Sequence, residues 1–175
     1  MKSLNDIITD PVLFLDKLFS LIEKTGMNVD KYYLDHICYR VGSESEYQEK
    51  RSELSHHGDM LIESMVNGRL IATYKLHSPI LYKGRKIDVL ELPAPKPGHS
   101  YASGLEHVEF VTTESLHSIV ENNPTCSFET QGINKEINAD ITLRLGEYCI
   151  RFHNQTLEDV IAQEKLQEKK LMGKN

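Results

Sequence analysis

A repeat is what most constrains this chain. Asp35-His36-Ile37-Cys38-Tyr39-Arg40-Val41 and Gly104-Leu105-Glu106-His107-Val108-Glu109-Phe110-Val111 each set a histidine into an apolar run. They lie about 70 residues apart, as two similar half-chains would place them. In an extended strand alternate side chains share a face. His36, Cys38 and Arg40 then stand on one side and Ile37, Tyr39 and Val41 on the other, while His107 and Glu109 face away from Val108 and Phe110. One face packs and the other is left for chemistry. A single strand histidine is most often half-buried and bonded to a neighbour, but two at corresponding places point to a shared role.

The rest of the chain fits the same division. From Asp6 to Lys24 the apolar positions fall at helical spacing, with Asp10-Pro11 supplying the N-cap and first-turn proline of the main helix. After the His36 strand, Ser43-x-x-Glu46 caps a charged helix that ends before Gly58, with His56-His57 at its end. Runs at 60–66 and 70–76 meet at Asn67-Gly68, a strong hairpin signal, and a third strand follows Lys83-Gly84 over 86–92. That strand puts Glu91 between large aliphatic residues, where a charge calls for a partner. Pro93-Ala94-Pro95-Lys96-Pro97-Gly98 is a stiff connector, after which the chain starts over. The second pass reads as the His107 strand, a helix over 115–122, and strands near 127–129, 139–145 and 147–153, with Arg151 and His153 on one face. A last helix begins at Thr156, and the tail from Glu168 to Asn175 is expected to be frayed.

The expected fold class is therefore α+β: two βαβββ modules forming a curved mixed sheet around a cup, with extra N-terminal and C-terminal helices. Residues 1–34 are the helical extension, 35–92 the first module, 93–103 the linker, 104–153 the second module and 154–175 the closing helix and tail, all in one domain. A length of 175 residues, 39% hydrophobic, is ample for that core. A net charge of -6 and a pI near 5.7 offer no broad basic footprint for nucleic acid or an anionic membrane. Cys38, Cys126 and Cys149 form no CxxC pair, so neither a disulfide framework nor a thiolate zinc site is expected. With no long apolar span, the expectation is a cytoplasmic monomer or homodimer whose partner is a small molecule.

If an approximate twofold relates the halves, corresponding strand positions converge on the cup. His36, Glu91 and His107 meet there, with Glu109, Arg40, Arg151 and His153 nearby. Two imidazoles and a carboxylate with open positions suit a divalent metal such as Zn, Ni, Co, Mn or Fe(II).

His36-Ile37-Cys38-Tyr39-Arg40, Asn67-Gly68-Arg69, Leu90-Glu91-Leu92-Pro93, Glu106-His107-Val108-Glu109 and Arg151-Phe152-His153 together resemble the successive motifs of the bacterial YecM family. That family is similar in fold to the vicinal oxygen chelate superfamily of glyoxalase I, fosfomycin-resistance proteins, bleomycin-binding proteins and extradiol dioxygenases. The resemblance implies paired βαβββ modules, with metal ligands from the first and fourth strands of each; these are His36, Glu91 and His107. At the fourth position, where glyoxalase-like enzymes place Glu, this chain has Arg151, which cannot ligate a cation; either His153, two residues on and on the same face, substitutes, or the site keeps three protein ligands and water. The implied enzyme is a metal-dependent isomerase, lyase or oxygenase acting on a small oxygenated metabolite. Glu109 is its candidate base, and Arg40, Arg151 and His153 hold the substrate. Alternatively the two arginines neutralise Glu91 and Glu109, and Cys38 is a packed thiol or an extra ligand. The alternative function is a non-catalytic small-molecule binding protein of bleomycin-resistance type, or a cup whose His and Glu residues only satisfy one another.

Overall fold

The computed structural model describes residues 2–172. Two short helices come first, α1 (Leu4–Ile8) and α2 (Pro11–Lys24), separated where Thr9 takes a positive φ and Asp10 accepts hydrogen bonds from the N–H groups of Val12 and Leu13 as N-cap. The first module is β1 (Tyr33–Arg40), α3 (Glu44–Leu54), β2 (Gly58–Val66), β3 (Arg69–Tyr82) and β4 (Arg85–Pro93). The second is β5 (Gly104–Val111), α4 (Leu116–Asn122), β6 (Phe128–Glu129), β7 (Ile141–Leu145) and β8 (Tyr148–His153), followed by α5 (Leu157–Met172). Both modules are strand, helix, three strands, as the repeat predicts.

All eight strands join one curved open sheet in the order β2-β3-β4-β1-β5-β8-β7-β6. Each module pairs its first and last strands in parallel, β1 with β4 and β5 with β8, and the modules meet along the antiparallel β1–β5 seam. The seam records the twofold: His36 pairs with Glu109 while Cys38 pairs with His107, so His36 corresponds to His107 and Cys38 to Glu109. The parallel pairs Cys38–Glu91 and Glu109–Arg151 make Glu91 and Arg151 equivalent in turn. The ladder thus gives the same alignment of halves as the strand-by-strand reading of the sequence.

Hairpin chemistry sets the registers. Asn67-Gly68 and Lys83-Gly84 both take positive φ, the type I′ geometry that matches strand twist, and join Val66 to Arg69 and Tyr82 to Arg85. β3 runs to Tyr82 rather than ending at Leu76; its pairing with β4 breaks between Lys75 and Ile80, where Pro79 has no N–H to give the ladder. α5 continues through Met172, past the Glu168 at which fraying is expected from sequence; the last part of that expectation, 173–175, lies outside the described residues.

The main core lies on the convex face. There α2 buries Phe14, Leu15, Leu18, Phe19 and Ile22 against Ile37, Tyr39, Leu90, Val108, Phe110, Ile150 and Phe152. Phe110 and Phe152 stack at 5.5 Å between ring centroids, with Phe19 and Tyr32 edge-on to Phe110. α5 instead covers part of the cup, contributing Leu157, Val160 and Ile161 to its lining. Phe110→Ala is expected to cost about 3–5 kcal/mol, the range for deleting a buried aromatic, measured by denaturant unfolding of the metal-free protein.

Candidate metal centre

Two β-bulges build the site. In the β1–β5 ladder Leu34 pairs with Phe110 and His36 with Glu109, leaving Asp35 extra; Cys38 pairs with His107 and Tyr39 with Leu105, leaving Glu106 extra. The two bulged residues are twofold equivalents, each an acid directly before a histidine. A regular strand sends neighbours to opposite faces, and a bulge cancels that alternation. Asp35 therefore reaches its own neighbour: Asp35 Oδ2 is 2.8 Å from His36 Nδ1 and also accepts the Leu157 N–H of α5 at 2.9 Å. Glu106 Oε2 lies 3.6 Å from His107 Nδ1 and binds Arg40 at 3.1 Å through its other oxygen. Sequence inspection places Asp35-His36 and Glu106-His107 side by side yet misses both acids as partners, because strand alternation separates them; the repeated acid-His dipeptide was the available signal.

With Nδ1 of His36 held by Asp35, its Nε2 faces the cup. It stands 3.7 Å from Glu91 Oε2 and 3.6 Å from Glu109 Oε2, and His107 Nε2 stands 3.3 Å from Glu109 Oε1. Both Nε2 atoms are buried without a hydrogen-bond partner. The ligand atoms of His36, Glu91, His107 and Glu109 all lie within 4.8 Å of one another, and Cys38, Glu106 and His107 make a second such group. Hydrogen bonds fall at about 2.7–3.2 Å, whereas atoms sharing one cation at about 2.1 Å lie roughly 3.0–3.4 Å apart along tetrahedral or octahedral edges. The observed 3.3–3.7 Å spacing is nearer the second set. The residues present fit a divalent cation.

The other expected residues stand around this group. Arg151 donates to Glu109 Oε1 at 3.3 Å, from the β8 position equivalent to Glu91. His153 Nε2 lies 2.6 Å from Glu109 Oε2, though the ring is turned so that the angles of a hydrogen bond are not met. Arg40 pairs with Glu106, not with Glu91 or Glu109. Above the cluster opens a cleft of about 490 Å³, lined by residues of both modules, the linker and α5.

Charge is balanced by mutual exchange. Burial alone pushes the His36 imidazole down, but the Glu109 carboxylate and the Asp35 bond reverse this and hold it well above 6.5. His107 is likewise raised against its burial, by Cys38, Glu106 and Glu109. Glu109, which burial would raise, is held well below the usual carboxylate range by His36, His107 and His153. The His107 ring beside Glu106 pulls that carboxyl down to about 2.

Fold and site together define an α+β protein of paired βαβββ modules, with a His and carboxylate cluster at the floor of a shared cup. The chain belongs to the YecM family: the family described as "YecM protein" matches residues 3–164. It is 27% identical over 179 residues to Protein YecM of Escherichia coli (strain K12), covering 94% of this chain and 95% of that one. It is 30% identical over 110 residues to an uncharacterized protein of Haemophilus influenzae (strain ATCC 51907 / DSM 11121 / KW20 / Rd), covering 63% of this chain and 58% of that one. A solved structure titled "Structural Genomics, Protein EC4020" superposes with a TM-score of 0.77 at 27% identity, over 92% of each chain. No helix among the described residues is long and apolar enough to cross a membrane.

Proposed function

We propose that this protein is a divalent-metal protein of the glyoxalase-like, vicinal oxygen chelate type, acting as an isomerase, lyase or oxygenase on a small oxygenated metabolite. His36, Glu91 and His107 would hold the metal, which would be Zn, Ni, Co, Mn or Fe(II), with Glu109 beside them. One observation carries this reading: two buried, unpartnered imidazole Nε2 atoms share their space with two carboxylates at 3.3–3.7 Å.

A bound divalent cation supplies a Lewis acid for an oxyanion or enolate. The chain's own residues do the rest. Glu109, facing both imidazoles, is the base that takes a substrate proton. His153 and Arg151 flank its carboxylate and keep it aimed. Arg40 and Arg151 bind oxygens at the substrate's reacting end through the guanidinium fork. A second reading, a non-catalytic binding protein of bleomycin-resistance type, is favoured by Arg151 itself, a cation where a fourth ligand is expected and already paired with Glu109. Elemental analysis of untagged protein separates the two. About one equivalent of transition metal, able to exchange its water, supports the enzyme. Metal-free protein that stays so after reconstitution overturns it.

Protons give an independent check. The carboxylates around them raise His36 and His107, so in the metal-free protein both hold a proton more tightly than a free imidazole, and a cation competes with those protons. Metal uptake is expected to release protons, with affinity rising with pH. Calorimetry in buffers of different ionisation enthalpy measures this; release of none overturns the ligand set. The metal-free fold responds oppositely. The raised histidines contribute stability that is full below 6.5 and is lost as pH climbs through their folded values. Lowered Glu109 contributes above 4.5 and loses its part as pH falls. Electrostatic stabilisation of the metal-free fold is therefore greatest between those limits.

A further inference from the structure

The chain is acidic overall, with a net charge of -6, yet its cleft gathers Arg40, Arg69, Lys96, Lys135, Arg144 and Arg151. Four of these are tied to acids: Arg40 to Glu106 at 3.1 Å, Arg151 to Glu109 at 3.3 Å, Lys135 to Asp140 at 2.5 Å, and Arg144 to Glu129. Arg69 and Lys96 have no carboxylate within 4.0 Å among the described residues. A half-buried guanidinium left without an anion gives up hydration for little in return.

These two cations share a rim. Ala94, the second residue of the proline-rich linker, donates its N–H to Leu70 O at 2.8 Å, and Arg69 Nη1 donates to Ala94 O at 3.4 Å. The start of the linker, which carries Lys96, is thereby clamped against the start of β3, which carries Arg69. That one long bond leaves the other Arg69 donors free. Further along, the linker supplies Tyr101, whose ring lies 4.7 Å beneath the Arg40 guanidinium, and Arg40 Nε is buried without an acceptor. α5 adds Glu164 to the lining of the same cleft.

We propose that Arg69 and Lys96 form an anion subsite, so that the ligand of the cleft is a small organic anion. Its carboxylate or phosphate sits between these two cations, and its oxygen-bearing end lies over the His36, Glu91 and His107 cluster. Only the placement of that far end rests on the metal reading. A planar fork and a point-charge ammonium together bind either oxyanion, and the strength of the pair falls with salt, since the rim is open to water.

The test uses full-length, metal-free protein titrated by calorimetry with malonate and, separately, inorganic phosphate. The Arg69→Gln/Lys96→Gln variant is compared with Lys24→Gln/Lys86→Gln, which removes the same charge elsewhere. The first is expected to weaken anion binding roughly tenfold or more, and the second by no more than about twofold. A stronger response to malonate than to phosphate assigns a carboxylate source, and the reverse a phosphate. Equal affinity in the Arg69→Gln/Lys96→Gln variant and wild type, an equal loss in the control, or no anion binding by wild type overturns the subsite. Metal titration of the same proteins keeps the two readings apart. If anions bind through Arg69 and Lys96 while no variant or wild type takes metal, the metal reading fails and the subsite stands.

Discussion

His107→Ala yields a folded protein that no longer takes up stoichiometric metal. His107 is 4% exposed, but it is buried on the cup side and takes no part in the main apolar core, which lies across the sheet around Phe110 and Phe152. Its Nε2 is one of three unpartnered imidazole nitrogens facing Glu109, with those of His36 and His153. Removing it deletes a donor to the cation, so the loss of affinity is expected to exceed the roughly 10–100-fold that follows loss of an outer partner. The metal-free fold pays a smaller penalty. Glu109 and Glu106 lose a neighbouring cation, a destabilisation of about 1–3 kcal/mol, below that of Phe110→Ala three positions along the same strand. Elemental analysis and denaturant unfolding on both variants separate the faces. Retention of a full equivalent of metal by His107→Ala, or unfolding as severe as that of Phe110→Ala, sinks the site assignment.

Asp35→Ala is expected to lower metal affinity about 10–100-fold without removing any ligand. One oxygen of Asp35 serves both His36 Nδ1 and the Leu157 N–H. Its bond to Nδ1 fixes the ring so that Nε2 points toward Glu91 and Glu109 and offers its lone pair once its proton is displaced. The variant leaves the Nδ1–H and the first amide of α5 without an acceptor, each a cost of about 1–3 kcal/mol when buried. Hydrogen exchange at Leu157 should quicken along with the loss of metal affinity, and Asp35→Asn, which restores an acceptor without the charge, should recover part of both. Wild-type metal affinity in Asp35→Ala would falsify the orienting role.

The strand-helix-three-strand repeat was legible because its signals are local. Alternation of His107 and Glu109 against Val108 and Phe110 marks a strand facing two environments, Asn67-Gly68 fixes a hairpin, and Asp10-Pro11 starts a helix. Even the convergence of His36, Glu91 and His107 followed from those elements once a twofold was assumed. The path of the N-terminal segment was half legible: its periodicity gives the helix, but only packing shows that α2 covers the convex face while α5 takes the cup.

What the sequence alone determined, then, is the order of elements, the two faces of the central strands and the residue types that reach the cup, since each depends on neighbours a few positions apart. The tertiary structure decided the rest. The bulges at Asp35 and Glu106 come from how β1 and β5 slide into register, the place of Glu109 between both imidazoles comes from the same β1–β5 pairing, and Arg69 and Lys96 share a rim because the linker is clamped to β3. These are contacts between segments far apart in the chain, and no periodicity within a segment encodes the one-residue offset that turns an acid toward its histidine.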